Sequence, residues 1–459
     1  MIKAVFSICL VAFILVAGTV FGTISAEQRI SSRGSILTIS SDYTVAASSG
    51  TYMAMNSDGQ TVASGTVAST VINTVFGMMG SGQKLALVGS FTITSTLTPA
   101  AGIYMDCKSA TLTAQSNMDY MINIASVDVL TVDGGLWNGN GKTGVAIRGY
   151  RSNQITVKNG YFKNFQGSWA CVIALNDGRF HLVENNTISH NPGCYAIVFN
   201  DGKDSKILRN KIYCDNEGSG IGVFSGTQGY DNNEIAYNTI YDWSDVLWHA
   251  IYVGGSPYAS IHDNYMSAPQ TNGGAILLKA PNCDVFNNHI YDCRNVGISL
   301  YWGEGGSPLD NPSGTKIFNN KLQKVGNMGI AISTRGYGGT TRDIDCFNNI
   351  IVDCDSGSSA ITLWTETYPL ENITLRSNTI SNVSYAVRFG SWGAVVYASG
   401  TKILSNVFSE VKNSPVISIQ SQTVTNTVIA YNDFNSAGVT SLANNGLNTM
   451  IYDNIGLQN

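Results

Sequence analysis

The sequence predicts an all-β solenoid, and three observations carry that prediction. After residue 150 one short phrase keeps returning: a few apolar β-branched residues, an asparagine, and a few more, as in KILRNKIYC, EIAYNTIYD and KIFNNKLQKV. The asparagines of this series, Asn159, Asn186, Asn210, Asn238, Asn264, Asn288, Asn320, Asn349, Asn378, Asn406, Asn432 and Asn454, are separated by steps of 27, 24, 28, 26, 24, 32, 29, 29, 28, 26 and 22 residues. A period of that size belongs to stacked coils, each touching only its neighbours. Ahead of each asparagine runs a second alternating phrase, such as CVIALND, YAIVFND, AIYVGGS and GIAISTR. Composition agrees: 48 glycines and 12% charged residues suit a turn-rich chain, and 44% apolar residues provide a core.

Residues 1–26 open with Lys3, run without charge from Ala4 to about Phe21, and reach Ala26, a small residue at a cleavage position. This reads as an export signal, with a membrane anchor as the alternative because the run approaches the ~18 residues of a spanning helix. The mature chain is therefore expected to be secreted or held at the cell surface. Residues 27–84 do not repeat. TYMAMNSDGQTVASG reads as a hairpin turning at Asp58 and Gly59, and TVASTVINTVFGMM as a short amphipathic helix. Together they would cover the first coil, because an open solenoid end exposes apolar surface and unpaired strand edges. The repeat proper is assigned to residues 85–459.

Within a coil, side chains alternate across the long strand, which predicts that Ile173, Ile197, Ile221, Ile251, Ile276, Ile298, Ile330, Ile361, Val387 and Ile417 stack inward. Each asparagine is expected at a tight turn, as a residue that tolerates the left-handed conformation and can form an amide ladder. This stack resembles the right-handed parallel β-helix of the pectate-lyase-like superfamily. The segment TVDGGLWNGNGKTG with the preceding helical cap is similar to the opening segment of that group. The resemblance implies a single-stranded right-handed β-helix, without identifying an activity. The NTD, paired-aspartate and RIK motifs of polygalacturonases are missing, as are the DPHD box of alginate epimerases and the calcium-site pattern of pectate lyases. A leucine-rich repeat fits less well, since leucine does not dominate and no helix recurs.

Without Lys3 the mature chain has 25 basic and 31 acidic side chains, a balance of −6 that disfavours nucleic acid as a partner. Eight cysteines remain after residue 26, and Cys171 with Cys194 is the expected disulfide, with buried thiols as the alternative. No CxxC pair or Cys/His spacing marks a zinc site. Asn185, Asn372 and Asn382 head glycosylation sequons.

The outward rows of the long strands are expected to hold Asn176, Asn200, Phe224, Tyr252, Lys279, Tyr301 and Trp364. Trp302, Trp392, Arg335, Glu304 and Glu366 follow at the strand exit, and Trp243, Trp248 and His249 on a flanking turn. So many rings on an uncovered sheet point to an elongated ligand. Rings stack on sugar faces, and amides and charges bond hydroxyls or uronate carboxylates. Asn176, Asn200, Tyr252, Tyr301, Trp302, Trp364 and Trp392 are accordingly the substrate-binding candidates.

Two carboxylates, Asp177 and Asp201, occupy equivalent places in adjacent coils. They could act as a retaining glycosidase pair ~5 Å apart, share a calcium ion, or simply form turns. For β-elimination on a uronate polymer, His249, Lys279 or Arg335 could serve as the base, with Glu366 as the partner of Arg335. The expected function is an exported protein that binds and cleaves a polysaccharide as lyase or hydrolase. The rival reading is a non-catalytic glycan-binding or adhesion rod.

Overall fold

The computed structural model describes residues 31–32, 35–36 and 41–457, apart from 168–169, 190–192, 215–217, 227–229, 244–248, 271–272, 303–309, 335–338, 355–358, 366–367, 391–395 and 440. The expected export signal lies outside the described residues. No helix among them is long and apolar enough to cross a membrane.

The chain winds as a right-handed parallel β-helix. One coil shows the plan: a long strand Cys194–Asn200, a turn, a short strand Lys206–Leu208, a tight corner at Asn210, and a third strand Lys211–Tyr213. Stacking the long strands gives sheet 1, thirteen parallel strands from Ile122–Ala125 to Leu442–Asn444. The strands before the asparagine form sheet 2 and those after it sheet 3. Four short strands add a further ladder to the later coils, Thr341–Arg342, Leu370–Glu371, Ala398–Ser399 and Val424–Thr425.

The sheet 1 register aligns Ile147, Ile173, Ile197, Ile221, Ile251, Ile276, Ile298, Ile330, Ile361, Val387 and Ile417. All of these are at most 1% exposed, so the inward row is as expected. Ile207 and Ile235 from sheet 2 and Ile212 and Ile240 from sheet 3 meet them in the same core. Branched side chains repeated at one strand spacing interlock along the axis, which suits the pleat.

The amide ladder is the second axial element, and it corrects the sequence expectation in two ways. Eleven asparagines, Asn186 to Asn454, all buried except the half-buried Asn454, are linked in ten steps. In each step the backbone N–H and the side-chain Nδ2 both donate to Oδ1 of the next asparagine, at 2.9 to 3.2 Å. The remaining Nδ2 hydrogen reaches a backbone carbonyl of the preceding coil, as Asn320 does to Val285 at 2.9 Å. Asn159 is not a rung. Gly160 holds that place and donates its N–H to Asn186, while Asn159 sits one residue earlier at φ 58°. The left-handed residue is thus the one before the rung, as at Arg209, Tyr237, Asp263 and Asn319. The rung asparagine is selected for its inward amide rather than for its backbone.

Outside sheet 2, His262, Phe286, Phe318 and Phe347 stack at 4.6 to 4.9 Å, and the Arg376 guanidinium lies 3.9 Å over the last ring. Spacing equal to the strand separation makes one residue type at one position a continuous stack.

At the N-terminal end, strands Tyr43–Ser48, Thr51–Asn56 and Thr61–Gly65 pair antiparallel, and the first pairs parallel with Lys84–Ile93. The turn forms where Asn56 Oδ1 accepts from the N–H groups of Asp58 and Gln60. Helix α1, Ala68–Met78, buries Val71, Ile72, Val75 and Phe76 against this end.

The expected disulfide of Cys171 with Cys194 involves a side chain, that of Cys194, which lies outside the described residues; by backbone register Cys171 aligns with Tyr195, and Cys194 with Ala170. Cys107, Cys283, Cys293 and Cys346 are buried thiols, and burial raises the pKa of each, which makes them poor nucleophiles.

Asn320→Asp tests the ladder. The carboxylate would face the Asn349 Oδ1 and the Val285 carbonyl, two acceptors that each lose a donor, at about 1–3 kcal/mol per orphaned group. Burial raises the folded pKa of such an aspartate, so the destabilisation is full above that pKa and shrinks as pH falls to the unfolded value. Thermal unfolding at pH 7 and pH 4 is expected to show a large drop in Tm that narrows in acid. An unchanged Tm at pH 7 contradicts the ladder.

Candidate functional site

The outer face of sheet 1 collects the chemistry. Its register aligns Tyr150, Asn176, Asn200, Phe224, Gly254 and Lys279 in one row, and Tyr301, Ser333 and Trp364 continue it. Tyr252 belongs to the neighbouring row, opposite Gly222 and Leu277, not to the row of Phe224. The two rows nevertheless converge. Phe224 lies over Gly222, where an added Cβ would stand 2.6 Å from Cε2 of that ring, and Tyr252 lies over Gly254, where one would stand 3.2 Å from its Cε2. Glycine at both positions lets the rings lie down on the sheet.

The result is one aromatic cluster. Tyr195 meets Phe224 edge-on at 5.8 Å, Phe224 meets Tyr252 edge-on at 5.0 Å, and His249 packs against Tyr252 at 6.2 Å. The Lys279 ammonium lies 5.5 Å from the centre of Tyr252 and 5.1 Å from that of Tyr301. From Tyr195 to Tyr301 the cluster crosses five consecutive strands, roughly 19 Å at ~4.8 Å per strand.

Burial sets the protonation of its members. The His249 ring is enclosed, which lowers its pKa to about 4, and Lys279 pushes it the same way. It is therefore a neutral imidazole at pH 7, and its Nδ1 is buried with no hydrogen-bond partner. Tyr252 is raised to about 12, first by burial and then by Asp310 and Tyr301. Tyr195 is raised by burial as well. Both phenols remain proton donors at neutral pH.

Asp310 was not among the sequence candidates. Its Oδ1 lies 3.6 Å from where a Cβ on Gly255 would be, beside Tyr252. The signal was the step of 32 residues between Asn288 and Asn320, the longest in the series, which marks an enlarged turn carrying Asp310.

Asp177 and Asp201 do occupy equivalent positions, directly after the aligned Asn176 and Asn200. Both are left-handed, at φ 53° and 52°, the conformation that aspartate tolerates in turns. Asp177 is exposed. Asp201 is fixed by donors, accepting at Oδ1 from Gly226 N–H at 2.9 Å and Ser225 Oγ at 3.2 Å. Behind this turn Asp231 is fully buried, and burial with the Asp201 charge beside it raises its pKa. Among the described residues no group of three or more His, Cys, Asp or Glu is placed to hold a metal.

Trp364 sits partly buried on the outer row, its Nε1 enclosed without a partner, as is Asn176 Oδ1. Trp243 is instead fully buried, in the core. Trp302 is placed by its backbone opposite Thr334. Arg335, Glu366, Trp392, Glu304 and Trp248 lie outside the described residues.

A family profile described as the right handed beta helix region matches residues 101–246. The sequence matches no curated protein. Among solved structures, the chain is similar to the catalytic domain of a GH87 alpha-1,3-glucanase in complex with nigerose, at 15% identity and TM-score 0.51, over 79% of this chain and 67% of that one. It is also similar to a mutant tailspike protein of E. coli bacteriophage HK620 in complex with a pentasaccharide, at 10% identity and TM-score 0.52, over 84% of this chain and 74% of that one. A third similar structure is PfbA, a surface adhesin of Streptococcus pneumoniae, at 13% identity and TM-score 0.48, over 81% and 90% of the two chains. The first two likenesses show a shared fold.

The enclosed histidines generate a pH prediction. His181 is buried too, with its pKa lowered to about 4 by burial. For both rings the folded pKa lies below the unfolded ~6.5, so the unfolded chain binds protons first and stability falls as pH drops from ~6.5 toward 4. Ring-resonance titration by NMR is expected to leave both uncharged at pH 5.5, and His181→Gln with His249→Gln to flatten Tm over that range. Titration of either ring near 6.5 contradicts the enclosure.

Proposed function

We propose that the chain is an exported protein that binds an extended polysaccharide along the outer face of sheet 1 and cleaves it beside Tyr252, Lys279 and Asp310. The observation that carries this reading is the unbroken run Tyr195, Phe224, Tyr252, Lys279 and Tyr301 across five strands. Rings laid along an axis suit the apolar faces of successive sugars, and phenol and ammonium donors between them suit hydroxyls. The two saccharide-bound structures of the same fold support the ligand class.

For cleavage, the cluster offers a neutral imidazole, a phenol that keeps its proton, an ammonium and a carboxylate. Elimination from a uronate would use Lys279 to neutralise the sugar carboxylate and His249 as the base, while hydrolysis would use Asp310 with Tyr252 as proton donor. Arg335 and Glu366 stand as further candidates for the elimination route. Asp177 with Asp201 as a retaining pair is the weaker alternative, because turn formation and fixed donors already account for both. That same observation, with His249 enclosed, favours a second reading in which the face binds glycan without cutting it, as a secreted or surface-held rod.

Residues 27–459 incubated with neutral and uronic polysaccharides, with and without calcium, are expected to give new reducing ends. Absorbance near 235 nm appears as well if the route is elimination. Lys279→Ala abolishes elimination, and Asp310→Asn abolishes hydrolysis. Retention without cleavage identifies the binding rod, and no retention on any polysaccharide contradicts the proposal. Tyr252→Ala and Trp364→Ala are each expected to weaken retention roughly tenfold, about 1.4 kcal/mol, with Tm nearly unchanged. Asp177→Asn is expected to keep turnover, as a turn-former would, and loss of turnover with intact binding would restore it to the catalytic set.

A further inference from the structure

The N-terminal end of the same sheet face holds a second constellation that the repeat phrase did not reveal. Arg148 points outward from strand Ile147–Tyr150, and its Cζ lies 4.8 Å from the centre of the Tyr120 ring and 4.9 Å from that of Tyr150. Arg151 lies against Tyr150 as well, at 4.9 Å. The nearest polar contact of Arg148 is from Nη1 to Asn123 Oδ1 at 3.5 Å, beyond good hydrogen-bond length. No ion pair is made by Arg148, Arg151 or Lys142 among the described residues, whereas six other cations pair with an acid one coil away, as Lys206 does with Glu234 and Arg376 with Asp345.

On the far side of Tyr120 opens a cleft of about 860 Å³, lined by Asn117, Asp119, Tyr120, Lys142 and Gln166 among others but not by Arg148 itself. Tyr120 belongs to both the cleft and the aromatic sandwich. Along the row of Arg148 the next two residues are Ala174 and Val198, small enough to leave the path toward Tyr195 unobstructed. Arg148 stands two strands before Tyr195, roughly 10 Å away along the axis.

A guanidinium held within 5 Å of two ring centres has already given up much of its side-chain freedom, so less is lost when a planar anion is bound. Water solvates such a group weakly, and the rings prevent it from folding back onto a distant acid. Asp119, exposed on the cleft rim, is the acid nearest to it in the chain's own lining, and it makes no ion pair with Arg148. The geometry fits a two-oxygen ligand presented from the sheet face.

We infer that Arg148, sandwiched by Tyr120 and Tyr150 beside the Lys142 cleft, is an anion subsite that takes the carboxylate of an acidic sugar. The polysaccharide therefore carries uronic or other carboxylated residues, and its anionic unit sits two strands ahead of the aromatic cluster. This inference rests on the glycan reading of sheet 1 and narrows its substrate class. Carboxylate is chosen over sulfate because the fork pairs with a planar two-oxygen group, and the test separates the two.

The experiment is glycan-array binding by residues 27–459, read as apparent Kd and followed by titration at two salt concentrations. The array holds carboxylated oligosaccharides, the same oligosaccharides with carboxyls reduced to alcohols, and sulfated oligosaccharides. The expected result is retention of the carboxylated set, at least tenfold weaker binding of the reduced set, and weakening with salt. Arg148→Gln is expected to abolish the difference between the carboxylated and reduced forms and leave neutral binding intact, whereas Tyr252→Ala weakens both forms alike. Arg148→Lys keeps charge and stem if the glutamine variant fails to fold, and it should lose most of the discrimination because an ammonium lacks the fork. Equal binding of carboxylated and reduced forms overturns the subsite but leaves the glycan reading standing. Preference for the sulfated set over the carboxylated one, or discrimination untouched by both Arg148 variants, does the same. Absence of any glycan binding overturns both.

Discussion

The structure depends on one constraint: a buried asparagine amide has two donors and an acceptor that must all be satisfied away from water. In this chain the coils before and after supply the main partners, with a carbonyl of the same coil added at Asn264, Asn288, Asn320 and Asn432. Oδ1 of each rung receives two hydrogens from the preceding rung, and Nδ2 serves both the following rung and a carbonyl of the preceding coil. A coil slipped by one residue would break contacts on both sides, at a cost comparable to a sizeable part of a domain's stability. The ladder thus fixes axial register, and branched side chains in the three sheets fill the space that register defines.

Register then decides the surface. Once Ile221, Ile251 and Ile276 are aligned inward, Phe224, Gly254 and Lys279 must share an outer row, and Gly222, Tyr252 and Leu277 the next. Side-chain size converts those rows into a site. Two glycines let Phe224 and Tyr252 recline, and reclining brings their edges together and places Lys279 between two rings. The same logic gives the His262 to Arg376 stack on sheet 2 and the Arg148 sandwich on sheet 1. Two faces of one scaffold, and two ends of one of them, therefore differ in chemistry through a handful of outward positions, while the inward positions remain nearly uniform.

Much of this was legible in the sequence, since period and alternation are local properties. The inward row, the solenoid class, the turn at Asp58 and Gly59, and the amphipathic stretch before residue 80 follow from spacing alone. What failed was anything that needed the neighbouring coil. Asn159 shares its neighbours' phrase but stands one residue off the ladder, because Gly160 occupies the rung. Tyr252 and Phe224 fall in different outward rows, which the sequence did not resolve, since the phrases on either side differ in length and only strand pairing aligns them. Asp310 and Arg148 were missed because a folded-back turn and a cation–ring sandwich leave no periodic trace. Rows of rings announce a binding face, whereas chemistry is decided by which charge approaches them.

The most direct test is a crystal structure of residues 27–459 with an oligosaccharide that the protein retains. The account predicts sugar rings running along the axis on the outer face of sheet 1, stacked on Phe224, Tyr252 and Tyr301, with Lys279 in contact. A saccharide seated on sheet 2 or sheet 3, or crossing the coils away from these rings, would contradict it.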